Sequence, residues 1–389
     1  MLAYPTLSPS ARSNVASFRA MDILAEANRM IAGGLPVISL AVGQPSAPAS
    51  TAALTAARTM LDHGRVGYTD ALGMSGLRQR IARHYRETYA VDPGADRVMV
   101  TTGSSAGFNL AFLAAFDPGD RIGIAAPGYP AYRNILKAMG LVPVEIEVGA
   151  ADGYVLGAER LAFEHRRSAL QGVLIASPAN PTGTVTARSE LAALVEFCDR
   201  EGIRFISDEI YHGLVYGEPA ASALEFSDAP IVVNSFSKYY LMTGWRIGWL
   251  VLPPSLLRAA ERIGQSLYIS APALSQVAAQ ASLDARSELD DVRATYVANR
   301  ALLMDALPQM GFAEIAPIDG AFYAYAAVPE GHASSADLCR DLLREQHVAV
   351  TPGLDFDLAR GERFVRISYA CDTASMAEAI ARMKTFIIS

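Results

Sequence analysis

Lys238 stands in the run Ser235-Phe236-Ser237-Lys238, directly after the apolar stretch 231–234, and Thr243-Gly244-Trp245-Arg246-Ile247-Gly248 follows it. A lysine at the end of a buried strand is costly unless it is paired or neutral. On its own, Ser-x-Ser-Lys is more often a surface lysine just past a strand. The second run changes that balance. Together the two supply a nucleophilic amine, hydroxyls and a guanidinium, with glycines that allow close backbone approach. An aldehyde cofactor carrying a phosphate needs this set: an amine to condense with the aldehyde, and a bidentate cation with hydroxyls for the dianion.

Two further groups lie upstream. Ser177-Pro178-Ala179-Asn180-Pro181-Thr182-Gly183 follows one apolar run, and Ser207-Asp208-Glu209-Ile210-Tyr211 follows the next. Asn-Pro-x-Gly alone is an ordinary turn, and Asp208 alone is most simply a helix cap. At adjacent strand ends, however, an amide, a carboxylate and a phenol can meet one heterocycle. A carboxylate beside a pyridine nitrogen keeps it protonated and makes the ring an electron sink, while Asn180 and Tyr211 can both hydrogen-bond a ring oxygen. The third group is Thr102-Gly103-Ser104-Ser105. It reads equally as a plain helix cap or as a phosphate cradle of helix-terminal amides and hydroxyls.

The elements that must position these residues alternate. Residues 97–102, 121–125, 172–177, 204–207, 231–234 and 247–252 read as short buried strands. Helical spacing marks 106–116, and 189–201 carries Leu191, Leu194, Val195 and Cys198 at i, i+3, i+4 and i+7. Strand–helix alternation predicts an α/β domain with a mostly parallel sheet flanked by helices. Ligands in such sheets sit beyond the carboxyl ends of the strands, where all three groups fall. The last third predicts a long helical stretch at 272–310, then strands at 321–326 and 364–368 among helices, a second and smaller α+β domain. A helix near 16–32 is expected to join it.

Composition narrows the function classes. The 389 residues are 51% hydrophobic with a net charge of −7, enough chain for two domains and no basic footprint for nucleic acid. No apolar run approaches the length of a membrane span, and residues 1–20 lack the apolar core of a secretory signal, so no membrane association is expected and a cytoplasmic location is the default. Cys198, Cys339 and Cys371 form no C-x-x-C pair, and the six histidines form no metal-binding pattern, so neither a disulfide framework nor a metal site is expected.

Taken in order, Gly43-Gln44-Pro45, Tyr68-Thr69, Gly103-Ser104-Ser105, Pro127-Gly128-Tyr129-Pro130-x-Tyr132, Asn180-Pro181-x-Gly183, Asp208-x-x-Tyr211, Ser235-x-Ser237-Lys238, Arg246-x-Gly248, Gly320-x-Phe322-Tyr323 and Arg366-Ile367-Ser368 resemble the class I/II aminotransferases, fold-type I enzymes that depend on pyridoxal 5′-phosphate (PLP). The resemblance covers nearly the whole chain. It implies that Lys238 is the Schiff-base lysine and proton carrier, that Asp208 partners the pyridinium nitrogen, and that Asn180 and Tyr211 partner the ring oxygen. Tyr129 matches the aromatic residue stacked on the cofactor. Gly103, Ser104, Ser105, Ser235 and Arg246 match the phosphate site. Tyr68 matches a residue reaching the neighbouring subunit's phosphate, which implies a homodimer with shared active sites. Gly43, Asn180 and Arg366 match the substrate site, Arg366 as the fork that clamps the α-carboxylate. The implied division is a large PLP-binding domain at 47–280 and a small domain from 1–46 and 281–389.

Three places depart from the pattern. Ser46-Ala47-Pro48 follows Gly43-Gln44-Pro45 in place of acidic and aromatic choices, Asp357 stands where glycine is common, and Ser105 stands where some aspartate-active relatives carry lysine. The implied reaction is ping-pong transfer of an amino group between an L-amino acid and a 2-oxo acid, with neutral or aromatic donors favoured because the surroundings of Ser105 are uncharged. A β-eliminating carbon–sulfur lyase shares the same cofactor residues and remains the competing enzyme reading. A non-catalytic ligand-sensing domain is more remote, because such regulators need a DNA-binding domain in front and the match begins within the first few dozen residues.

Overall fold

The computed structural model describes residues 7–388, so the first six residues of the segment 1–46 and the last residue of 281–389 lie outside the described residues. The chain begins with helix α1 (Arg19–Ala32), a short strand β1 (Ile38–Ser39), and helices α2 (Thr51–Asp62) and α3 (Ser75–Tyr89). The middle then alternates: β2 (Val98–Thr101), α4 (Ser104–Ala115), β3 (Arg121–Ala126), α5 (Pro130–Met139), β4 (Val142–Glu147), α6 (Ala158–Arg167), β5 (Gly172–Ala176), α7 (Arg188–Glu201), β6 (Arg204–Asp208), β7 (Ile231–Ser235) and β8 (Gly248–Val251). After these come α8 (Pro254–Tyr268), α9 (Ala273–Ser282), α10 (Arg286–Gln309), β9 (Tyr323–Ala327), α11 (Ser335–Gln346), β10 (Val348–Ala349), β11 (Thr351–Pro352), β12 (Phe364–Ser368) and α12 (Thr373–Ile388).

Strands β2 to β8 form one seven-stranded sheet in the order β2-β8-β7-β6-β5-β3-β4. Neighbours from β7 to β4 run parallel, and only β8 is antiparallel to β7 and β2. Strands β2, β7 and β8 are buried along their whole length, which is why they read as unbroken apolar runs. Side chains alternate between the faces. Val100, Val173, Val232 and Val251 join the core under α2, α3 and α7. Met99, Leu174, Val233 and Leu250 join the one formed with α4, α5 and α8. The C-terminal ends of β2, β3, β5, β6 and β7 therefore share one edge, and the N-terminal end of β8 meets it where Gly248 pairs with both Thr101 and Ser235.

The C-terminal part holds a three-stranded antiparallel sheet, β11-β12-β9, packed with α10, α11 and α12 around Tyr296, Leu307, Phe322, Ile367 and Met376. Strand β1 pairs in parallel with β10, which draws the N-terminal segment into this part. The molecule is thus an α/β protein with a mostly parallel sheet flanked by helices and a smaller α+β part. Among the described residues no helix is long and apolar enough to cross a membrane.

Two boundaries differ from expectation. The long helical stretch expected at 272–310 is divided into two helices, α9 and α10. Arg80 of α3 explains the break: its guanidinium donates to Leu283 O (2.8 Å) and to the Asp284 carboxylate (2.8 Å), which satisfies groups at the interruption. The N-terminal helix starts at Arg19 rather than at 16, because the Ala16 carbonyl accepts instead from Asn134 Nδ2 at 2.8 Å.

Candidate active site

Strand β7 ends at Ser235, and the turn after it carries Lys238 to the common edge. Lys238 Nζ donates to Gly43 O at 2.6 Å and lies 5.8 and 5.7 Å from the ring centroids of Tyr211 and Phe322. Burial lowers its pKa from 10.5 to about 8, the charges of Arg366 and Arg246 push it the same way, and Asp208 opposes them. An amine so placed is available near neutral pH as nucleophile and base.

Asp208 closes β6 and is buried. Its Oδ1 accepts from Ile210 N at 3.1 Å, and its Oδ2 accepts from the Tyr132 hydroxyl. Burial raises the carboxyl to about 6, against the pull of those two hydrogen bonds and of Lys238. Tyr211 follows in the turn beyond β6, its hydroxyl 2.8 Å from that of Tyr323. Asn180 lies in the turn after β5, where its Oδ1 accepts from Arg366 Nη1 at 3.0 Å.

Arg366 comes from β12, the opposite wall. Its guanidinium is sandwiched between the rings of Tyr323 (4.5 Å) and Phe356 (4.6 Å), and its Nη2 donates to Ala41 O. Its Nε is buried and has no hydrogen-bond partner among the described residues. A carboxylate entering the cavity would meet a fork that is already oriented and incompletely satisfied. Gly43 sits close by, where an added Cβ would fall 1.6 Å from the Tyr323 hydroxyl.

At the other end, Gly103 precedes α4 with φ +82°, and an added Cβ would lie 2.6 Å from Arg246 Nη2. Arg246 is itself left-handed, with φ 51°, and its Nη1 donates to Thr243 O at 2.9 Å. The amino end of α4, with Ser104 and Ser105 in its first turn, thus faces a guanidinium. Helix-terminal amides, hydroxyls and a guanidinium form a donor set suited to a phosphate dianion.

Gly43, Ser104, Ser105, Tyr129, Asn180, Asp208, Tyr211, Lys238, Arg246 and Arg366 all line one cavity of about 230 Å³. Tyr68 does not: it lies outside and is 82% exposed. Ser235 also lies behind the wall, its hydroxyl bonded to Ile247 O (3.2 Å) and to Ser237 Oγ (2.9 Å), while Ser237 and Thr243 line the cavity instead. Phe18, Met21 and Asp355 also line it and were not foreseen, since nothing local in the sequence joins residue 18 to residue 355. The unusual Asp357 closes its own turn. Its Oδ1 accepts from Ala359 N (2.9 Å) and Arg360 N (3.0 Å), and its Oδ2 pairs with Arg360 Nε (3.2 Å).

Comparisons with known proteins find aminotransferases similar to this chain along nearly its whole length. A valine–pyruvate aminotransferase of Mycobacterium tuberculosis is 46% identical over 97% of this chain and 98% of its own length. An aspartate aminotransferase of Sulfurisphaera tokodaii is 31% identical over 91% of this chain and 90% of its own. The solved structure of an aminotransferase from Mycobacterium tuberculosis superposes with a TM-score of 0.95 at 45% identity, covering 98% of this chain and all of that one. The sequence model of the family described as aminotransferase class I and II matches residues 36–383, and this chain, an aminotransferase, belongs to that family.

Proposed function

We propose that this aminotransferase uses PLP bound at Lys238 and moves an amino group between a neutral L-amino acid and a 2-oxo acid in two half-reactions. The observation that carries this reading is one cavity lined by Lys238 and Asp208 together with two separate guanidinium groups, Arg246 and Arg366. The residues fit such a cofactor: Arg246 with the first turn of α4 for its phosphate, Asp208 for a protonated ring nitrogen, Asn180 and Tyr211 for the ring oxygen, Tyr129 for the ring face. When bound, PLP supplies an aldehyde for the amino group and a protonated ring that accepts electrons from the bond broken at Cα.

The chain's own residues do the rest. Arg366 holds the substrate α-carboxylate through its fork and so fixes the position of Cα. Lys238 Nζ, its pKa lowered to about 8 so that part of it is uncharged near neutral pH, would take the proton from Cα once the donor's amino group had displaced it from the cofactor. Asp208, held by Tyr132 and the Ile210 amide, would accept a hydrogen bond from the ring nitrogen and so favour its protonated form. Tyr129 and Tyr132, which meet edge to face at 5.3 Å, wall off one side from water.

The donor preference rests on what lines the remaining wall. Ser105, Phe108, Tyr129, Ile135, Phe18 and Met21 carry no charge, and the cavity's cations among the described residues are Lys238, Arg246 and Arg366. An acidic donor would bury a second carboxylate without a partner, which is heavily penalised. The valine–pyruvate relative supports a neutral donor. We further propose that residues 47–280 form the large domain, that 1–46 and 281–389 form the small one, and that the protein is a homodimer.

Measuring kcat/KM for valine, leucine, phenylalanine, alanine and aspartate tests the preference. Neutral donors should lead. Aspartate ahead by about tenfold, roughly 1.4 kcal/mol in transition-state binding, would refute a neutral pocket.

A further inference from the structure

Phe18 and Met21 stand at the start of helix α1, whose later turns are held by Ala27, packed with Leu343 and Ala349, and by the Glu26–Arg344 ion pair at 3.2 Å. Helix α1 buries Ala27 alone among its residues, and its N-cap, Phe18, offers no side-chain oxygen to the first-turn amides. A helix start with unpaired N–H groups frays unless something outside accepts them. Asp355 does so from far along the chain: its Oδ1 accepts from Arg19 N at 3.0 Å and its Oδ2 from Ala20 N at 2.9 Å. The carboxylate is 5% exposed and lies at the positive end of the helix, where a negative charge is stabilised.

The segment just before is tied as well. Ala16 O accepts from Asn134 Nδ2 on α5, so Phe18 is suspended between two anchors. Its ring lies 6.4 Å from that of Tyr129, and both rings face the cavity. Asp355 in turn is joined to α5, because Arg133 Nη2 donates to Asp355 O at 3.2 Å. It also immediately precedes Phe356, one of the two rings that sandwich Arg366.

We propose that Asp355 is a positioning residue for substrate selection: by capping α1 it seats Phe18 and Met21 as the apolar wall against which the donor side chain packs. This rests on the neutral-donor reading of the same cavity and adds the device that builds its wall. Donors with a side chain long enough to touch that wall depend on it most. Alanine, whose methyl group is too short to reach it, depends on it less.

The test compares the PLP-loaded wild type with Asp355→Ala, Phe18→Ala and the double variant, on leucine and on alanine, together with amide hydrogen exchange of the segment holding Arg19 and Ala20. Each single variant should raise KM for leucine about tenfold, the scale of lost contact with one or two methylenes, and KM for alanine by clearly less. The double variant should be no worse than either single one, because both remove the same contact. The amides of Arg19 and Ala20 should exchange faster in Asp355→Ala. Equal losses for leucine and alanine, or additive effects in the double variant, would overturn the proposal. Exchange needs no turnover and separates the two readings. Should wild type prefer aspartate, the donor reading fails, and unchanged exchange in Asp355→Ala would overturn the role of Asp355 by itself.

Discussion

Lys238 sits in the field of two guanidinium groups and out of water, and the consequence can be measured on the cofactor-free chain. Its pKa is lowered from 10.5 to about 8, so the unfolded chain binds more protons than the folded one between those values. Stability from this group therefore rises with pH across that window and is least below it. Lys238→Met removes the buried cation at similar length. The melting temperature of the cofactor-free variant should exceed that of wild type most below pH 8, with the gain fading towards pH 10.5. Melts at pH 7 and pH 10 check this, and a gain that did not shrink would contradict the burial of the amine. Lys238, Asp208 and Arg246 could be singled out in the sequence because the first two stand at or just past the end of a recognisable strand and Arg246 just before the start of one. The Tyr132 hydrogen bond to Asp208 and the aromatic sandwich around Arg366 could not, because they join residues far apart in the chain whose meeting only the packed fold decides.

The strand ends and the turns beyond them were legible for the same reason that they work: buried parallel strands must be apolar throughout, so the polar residue ending each run stands out. Gly103 shows how tight such a turn is. Its φ of +82° with ψ of 166° is a conformation open essentially to glycine and costs a side-chain-bearing residue about 1–3 kcal/mol, and the new Cβ would press on Arg246 Nη2 at 2.6 Å. Gly103→Ala should therefore weaken PLP binding by about tenfold or more, the loss of roughly one charge-assisted hydrogen bond, while the absorbance of cofactor saturated into the variant stays near that of wild type. Titration with PLP measures it, and an unchanged affinity would remove Gly103 from the phosphate site. The break between α9 and α10 was not legible, because the helical spacing runs on through 283–285 and the interruption is satisfied by Arg80 from another helix.

For the molecule as a whole, one surface lacks a partner within the chain. Val66, Tyr68, Leu267 and Ile269 are exposed, and the Tyr68 loop is fastened to the α8–α9 turn. Thr69 N donates to Ser270 Oγ at 3.3 Å, and Gln276 Nε2 donates to Thr69 Oγ1 at 2.9 Å. Exposed apolar side chains on two segments fastened to each other mark an interaction surface, which supports the proposed homodimer. If Tyr68 completes a partner's site, hybrids of Tyr68→Phe and Lys238→Ala subunits hold one intact site and one carrying both defects. Their activity should be about half that of wild type, as half the sites are intact. Activity no higher than that of the Tyr68→Phe homodimer would place Tyr68 in its own subunit's site. The alternation of elements and the family resemblance made the α/β architecture legible. The pairing of β1 with β10, which brings the N-terminal segment to the far end of the chain, had no local signal in two residues of strand.

Borohydride reduction shows whether Lys238 is the residue that takes PLP covalently. The loaded protein should absorb visible light, lose that band on reduction, and yield on digestion a single peptide carrying the cofactor on Lys238. A label on any other lysine, or a protein that stays colourless and unlabelled after incubation with PLP, would contradict the account.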